Sequence, residues 1–220
     1  MNVSCMHTRH VSQHMYDSLA RYRYKVFVEL LGWKLGSADG LEVDQFDHED
    51  STYVIAQNER QDIIGCGRLL PTTEDYLLEK VFPELLNGHP APKEGKVWEL
   101  SRFAALDLKA AKREIGEPQE YLSERVLLQI LKFSLGQSIT HLVAFSTLPV
   151  ERLIKRAGVD MHRLGPPLMI RGERLIAFVI AVNAQSIDAL TRFENLAQEH
   201  LSLLSQAQRA LSATPTIGHS

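Results

Sequence analysis

Cysteine is scarce in this chain. Cys5 and Cys66 stand far apart, at neither metal-ligand nor redox-motif spacing, so a disulfide framework is not expected. No apolar run is long enough to span a bilayer, and the N-terminal segment carries His and Arg without a continuous apolar stretch, unlike a secretory signal. The formal charge of −3 leaves no basic footprint for a nucleic acid. No histidine pair has metal spacing, and no Gly-x-Ser-x-Gly elbow, phosphate-binding P-loop or dinucleotide glycine fingerprint occurs. These absences argue against an α/β-hydrolase, an ATPase and a Rossmann dehydrogenase. A reduced, cytoplasmic protein without a metal is expected.

What is present suffices for a core. With 220 residues, 45% of them hydrophobic, the chain reads as one domain over 1–211 followed by a mobile tail over 212–220. Apolar residues at helical spacing predict helices over 15–31 and 77–86, the second interrupted by Pro83. Two β-like runs, 52–56 and 62–70, flank a polar turn and predict an antiparallel hairpin. A loop over 87–95 leads to a strand over 97–105, and Pro118 opens a helix running to about 135. A strand over 141–147, a helix over 149–157 stopped by Gly158, a strand over 175–182 and a helix over 188–211 complete the series. The order suits an α/β (α+β) architecture, a mixed sheet with helices on both faces.

The most informative segment is Val97-Trp98-Glu99-Leu100-Ser101-Arg102-Phe103, an apolar β-run that nonetheless carries two charges. A buried charge needs a partner, so Glu99 and Arg102 either brace the sheet internally or face a polar ligand. Arg68 lies among apolar residues and glycines, and Arg23 on the first helix. Opposite these stand five carboxylates between Glu42 and Asp50, in a loop without the spacing or turn glycine of an EF-hand. The loop is either a solvated acidic face or the counterpart of the arginines. Trp33, just after the first helix, is core, a helix-end plug, or a platform for a flat or cationic ligand.

Arg23-x-x-x-Phe27, Trp33, Asp44-x-x-Asp47, Arg68 followed by Pro71-Thr72, Phe82 and Glu99-x-Ser101-Arg102, taken in order, resemble the acyl-homoserine-lactone synthase (autoinducer synthase) family. Val150-Glu151-Arg152 and Arg156-Ala157-Gly158 look similar to it as well. The resemblance implies a fold related to the GNAT-type N-acetyltransferases, with two central strands splayed apart. It implies two substrates and no cofactor: S-adenosylmethionine, and an acyl chain on acyl carrier protein or, less often, coenzyme A. The products would be an N-acyl-homoserine lactone, a quorum-sensing signal, with methylthioadenosine and the freed carrier. The alternative is a GNAT-like N-acyltransferase using acyl-coenzyme A on another amine, but Arg156-Ala157-Gly158-Val159 is no glycine-rich phosphate loop.

Such chemistry suits these residues. A free α-amine titrates at about 7.7–8.0, so modest base assistance suffices. Glu99 is the expected base, and Ser101, on the same face of a regular strand, would relay or position. Arg23, Asp44, Asp47, Arg68 and Arg102 are expected to form one catalytic network. Trp33 and Phe103, with Asp44, Arg68 and Arg102, would bind S-adenosylmethionine. A flat strand, however, points Arg102 away from Glu99 and Ser101; either a bulge re-aims it or it braces the network from behind. Leu127, Leu131, Phe145, Ser146 and Thr147 are expected in the acyl pocket. Arg152, Lys155 and Arg156 would meet an acidic acyl carrier protein.

Overall fold

The structure is a computed structural model that describes residues 1–35, 39–109 and 121–212. Strands β1 (Asn2–His7), β2 (Thr52–Gln57), β3 (Ile63–Pro71), β4 (Val97–Ala105), β5 (His141–Thr147), β6 (Met161–Arg163), β7 (Leu168–Ile170) and β8 (Glu173–Ala181) form one mixed sheet. Its order is β1-β2-β3-β4-β5-β8-β6, with β7 also on β8. Helices α1 (Gln13–Arg23) and α2 (Leu77–Val81) cover one face, where Tyr53, Ile55, Leu70 and Val143 are buried. Helices α3 (Leu122–Gly136), α4 (Leu148–Arg156) and α5 (Ala184–Ser212) cover the other, over Leu69, Leu100, Leu142 and Phe178. Both faces are thus buried, as a sheet with helices on each side requires.

The hairpin, the strands near 97–105 and 141–147 and the later helices lie where the pattern placed them. Gly158 ends α4 with φ +85°, a conformation glycine adopts freely. Pro83 separates α2 from a 3₁₀ turn, Pro83–Leu86. Three differences stand out. The helix expected over 15–31 is α-helical only to Arg23, then widens into a π-helical turn, Tyr24–Leu30, with Leu31 N–H bonded to Val26 C=O. Strand β1 was not anticipated, because an edge strand of half-exposed residues carries little apolar alternation. Nor were the three-residue strands β6 and β7. Pro118 and the tail from 213 lie outside the described residues.

Two departures from regular sheet position the site. The parallel β4–β5 ladder holds for Val97↔His141, Trp98↔Leu142 and Glu99↔Val143, and no pair follows. Strand β4 remains on β3 and β5 on β8, so the two central strands open into a V. In the β3–β4 ladder Arg68 faces Ser101 and Cys66 faces Ala104, which leaves Arg102 and Phe103 opposite Gly67 alone. Arg102 takes φ +50° at this bulge, a strained value for a residue with a Cβ. The bulge answers the question of orientation. Ser101 and Arg102 point to the α1–α2 face, whereas Leu100 and Phe103 pack towards α3. Gly67 lets α3 approach closely here: a Cβ on it would lie 2.9 Å from Ile130 Cδ1.

Candidate active site

Three guanidinium groups and three carboxylates interlock beside the V. Arg23 donates from Nε to Glu42 (2.5 Å) and from its two terminal nitrogens to Asp47 (2.9 and 3.1 Å). Arg68 bonds Asp44 twice (2.6 and 3.1 Å), Asp47 (2.6 Å) and the Ser101 hydroxyl (3.1 Å). Arg102 donates to Glu42 (2.9 Å) and Asp44 (2.6 Å). The Tyr53 hydroxyl donates to Asp47, and the backbone N–H of Asp44 adds a bond to the same carboxylate (2.8 Å). Charge balance is complete within the set, which is what permits burial. Burial alone would push Asp47 and Asp44 up, but the guanidinium groups more than offset it and hold both below the ordinary carboxylate range. The same carboxylates raise Arg23 and Arg68 against the opposing effect of burial.

Local structure explains the convergence. The i, i+4 spacing of Arg23 and Phe27 at the start of the π-helical turn sends both inward: Arg23 to the acids, Phe27 under the Arg102 guanidinium at 5.8 Å. Trp33 stacks on Phe27 with ring centroids 4.9 Å apart. The five network residues expected from the sequence therefore do meet. Glu42 was missed, although it is 1% exposed and bridges Arg23 to Arg102. Its neighbours Leu41 and Val43 give no local sign of this. Balancing buried charge signals that a carboxylate is missing, since three arginines against Asp44 and Asp47 leave one positive charge over, but not which of the neighbouring acids supplies it.

Two cavities meet at this wall. A chamber of about 520 Å³ lies on the α2 side, between Trp33–Leu35, Phe82 and the β7–β8 hairpin. A slot of about 70 Å³ runs through the V, lined by Leu100, Phe103, Leu127, Ala144, Val150, Ile154 and Phe178. Trp33, Leu77, Arg102, Phe145 and Ser146 belong to both walls and form a throat. Thr147 lines the chamber rather than the slot. Leu131 is fully buried in the α3 core and reaches neither cavity.

Glu99 is fully buried and lines neither cavity. Its two oxygens accept the N–H groups of Leu77 (2.7 Å) and Leu78 (3.0 Å), the opening residues of α2. Burial pushes the carboxyl up to about 7, with those two donors pulling the other way. On α4, Arg152, Lys155 and Arg156 are all exposed, but Lys155 is paired with Glu151 (2.7 Å), which also holds Arg163 (2.6 Å). Among the described residues no helix is long and apolar enough to cross a membrane.

A mixed sheet, opened at its centre beside a charged throat and flanked by helices, is a GNAT-like acyltransferase fold. The family description autoinducer synthase matches residues 7–190. An acyl-homoserine-lactone synthase of Acinetobacter nosocomialis is 43% identical over 186 residues, spanning 83% of this chain and all (100%) of the relative. The crystal structure of TofI in a ternary complex with an inhibitor and MTA superposes with a TM-score of 0.76 at 36% identity, covering 87% of this chain and 97% of that one. BjaI, a CoA-dependent acyl-homoserine lactone synthase solved with SAM and isopentyl-CoA, gives 0.75 at 27% identity over 86% of each chain. The chain belongs to the autoinducer synthase family and is an acyltransferase of quorum-sensing signal synthesis.

Proposed function

We propose that this enzyme acylates the α-amine of S-adenosylmethionine with an acyl chain carried on acyl carrier protein, then closes the lactone. The observation that carries this reading is the pair of cavities sharing one throat. A wide chamber whose wall carries Arg102, Ser146, Thr147, Arg171 and Glu173, roomy enough for the adenosyl substrate, opens onto a narrow, mostly apolar slot suited to a chain. In the first step the deprotonated amine attacks the thioester carbonyl, and the thiolate departs with the carrier. In the second the substrate carboxylate attacks its own γ-carbon and the sulfonium leaves as neutral methylthioadenosine. Neither step requires a strong acid, so positioning supplies most of the acceleration.

Arg102, at the throat, would receive the substrate carboxylate, and Trp33 and Phe103 would wall the reacting end. Glu42, Asp44 and Asp47 would keep the guanidinium groups rigid rather than touch substrate. Glu99 has two readings. Its pKa near 7 suits a base, but its bonds to α2 and its absence from the cavity walls favour a positioning role exerted through Leu77, which is part of the throat. Exposed Arg152 and Arg156 would dock the acidic carrier.

The test is reconstitution with purified protein, S-adenosylmethionine and either acyl-acyl carrier protein or acyl-coenzyme A, followed by mass spectrometry. Equimolar N-acyl-homoserine lactone and methylthioadenosine, formed faster with the carrier protein, are expected. Lactone formed only from acyl-coenzyme A would overturn the donor assignment. An acylated amine other than homoserine lactone would overturn the reaction.

A further inference from the structure

Helix α4 presents three stripes, each at i, i+4 spacing. Val150 and Ile154 line the slot, Arg152 and Arg156 are exposed, and Glu151 and Lys155 lie between these two rows. The chemistry above gives Glu151 no role, yet its side chain is only 2% exposed. Its carboxylate receives a fork from Arg163 of β6, Nε to Oε1 (2.6 Å) and Nη2 to Oε2 (2.7 Å), and Lys155 Nζ lies 2.7 Å from Oε1. These bonds, those of Arg163 foremost, hold the carboxyl down at about 2, so the pair stays charged at any working pH. Arg163 stands opposite Phe178 in the β6–β8 ladder, and Phe178 lines the slot. One ion pair thus ties the α4 wall of the slot to the β8 wall.

Resting on the function proposed above, we propose that the Glu151–Arg163 pair is a positioning clamp that sets the bore of the slot and thereby selects acyl-chain length. Strand β5 has no ladder partner on its β4 side beyond Val143, and α4 follows β5 at Thr147 without a loop. The seat of α4 is therefore left to its packing and to this clamp. A bidentate fork fixes direction as well as distance, whereas an ammonium acts as a point charge. The slot holds about 70 Å³, so a helix shift of about 1 Å, less than the rise of one residue, alters what fits. Arg163 and Lys155 reach Glu151 from half-exposed positions. Without the fork the buried carboxylate recovers its solvation only by moving outward, and α4 moves with it. The slot widens as a result.

The experiment gives the full-length enzyme S-adenosylmethionine with an equimolar mixture of hexanoyl- and dodecanoyl-acyl carrier protein. The ratio of the two lactones is read by mass spectrometry. Both donors share one carrier, so a change in docking cancels in the ratio. Arg163→Ala should raise the long-to-short ratio by about tenfold, the discrimination a tight apolar pocket shows for a single methylene. Glu151→Gln, which keeps the shape and loses the charge, should shift it the same way. Arg163→Lys, which restores the charge without the fork, should fall between Arg163→Ala and wild type. KM for S-adenosylmethionine should stay unchanged in all three. Arg163 is exposed, so Arg163→Ala should fold, as circular dichroism would verify. A merely bracing pair would lower Tm and leave the ratio alone. A ratio unchanged or lowered in both Arg163→Ala and Glu151→Gln would therefore overturn the assignment. No lactone from the wild type with either donor would refute the underlying function instead, a separate outcome.

Discussion

Replacing Asp47 by Asn removes one charge while keeping shape, and its cost follows from the contacts. The Asp47 side chain is fully buried and accepts from Arg23, Arg68, Tyr53 and the Asp44 backbone. An asparagine has one acceptor oxygen in place of two. If that oxygen keeps the Arg68 and Tyr53 bonds, the amide NH₂ confronts the Asp44 N–H and an Arg23 nitrogen, donor against donor. The site also retains an uncompensated positive charge. Breaking a buried pair in this way costs about 3–5 kcal/mol. At about 2–4 °C per kcal/mol for a chain of this size, Tm should fall by roughly 6–20 °C. The pH dependence supplies an independent check. Asp47 is held below its unfolded value, so its contribution is complete above about pH 5 and is lost as pH falls through the depressed pKa. The gap between wild type and Asp47→Asn should therefore narrow on acidification. Thermal unfolding followed by circular dichroism from pH 7 to 3 measures both. Asp50→Asn serves as control, because its pair with Arg9 is half-exposed and of little value. A Tm within about 2 °C of wild type at pH 7, or a gap that does not shrink in acid, would refute a coupled, charge-balanced network.

Glu99→Gln separates the two roles of that carboxyl. Loss of a base should slow acylation by about 10²–10⁴-fold and recover as pH rises, whereas a displaced α2 should leave a loss that pH does not restore. Because burial raises Glu99 to about 7, its contribution to stability is present below about pH 4 and is lost as pH rises through 7; the Gln variant should flatten that slope in urea titrations. Reversing Arg152 and Arg156 to Glu should raise KM for an acyl carrier protein and weaken its salt dependence, with KM for S-adenosylmethionine unchanged; unaltered carrier kinetics would move docking elsewhere. Ala144→Leu adds an isopropyl group to the slot wall, so product profiles by mass spectrometry should shift to shorter chains. An unchanged profile would place the chain outside the slot.

The sequence carried more of the site than of the sheet. Arg68 and Arg102 sit among apolar residues and Arg23 on a semi-apolar helix, a mismatch that calls for nearby acids; together with the ordered family pattern it made the network legible before its geometry. Glu42 was not, because a lone glutamate between an aliphatic pair reads the same whether buried or solvated. The orientation of Arg102 was beyond local pattern too. It depends on two residues of β4 facing one glycine of β3, a register fact that no single strand contains. For Glu99 the spacing suggested proximity to Ser101, but its partners are backbone amides of a short helix 22 residues earlier in the chain. Backbone donors leave no trace in side-chain chemistry. The short strands β6 and β7 were illegible for a related reason: three residues are too few to display a period.

The open V gives this sheet an edge in its interior. Elsewhere an unpaired strand is a hazard, because another chain can add to it. Beyond Glu99 and Val143 the facing edges of β4 and β5 lack a ladder partner, yet helices close over both faces and no second polypeptide can enter. Only something thin, extended and tethered from outside fits between them. On the function proposed above, an aliphatic chain, without hydrogen-bonding groups of its own, would lie there, and the slot would discriminate by shape before any reacting atom arrives. The sheet tolerates a break at its centre because β4 is held by β3 and β5 by β8, so each half keeps its own ladder.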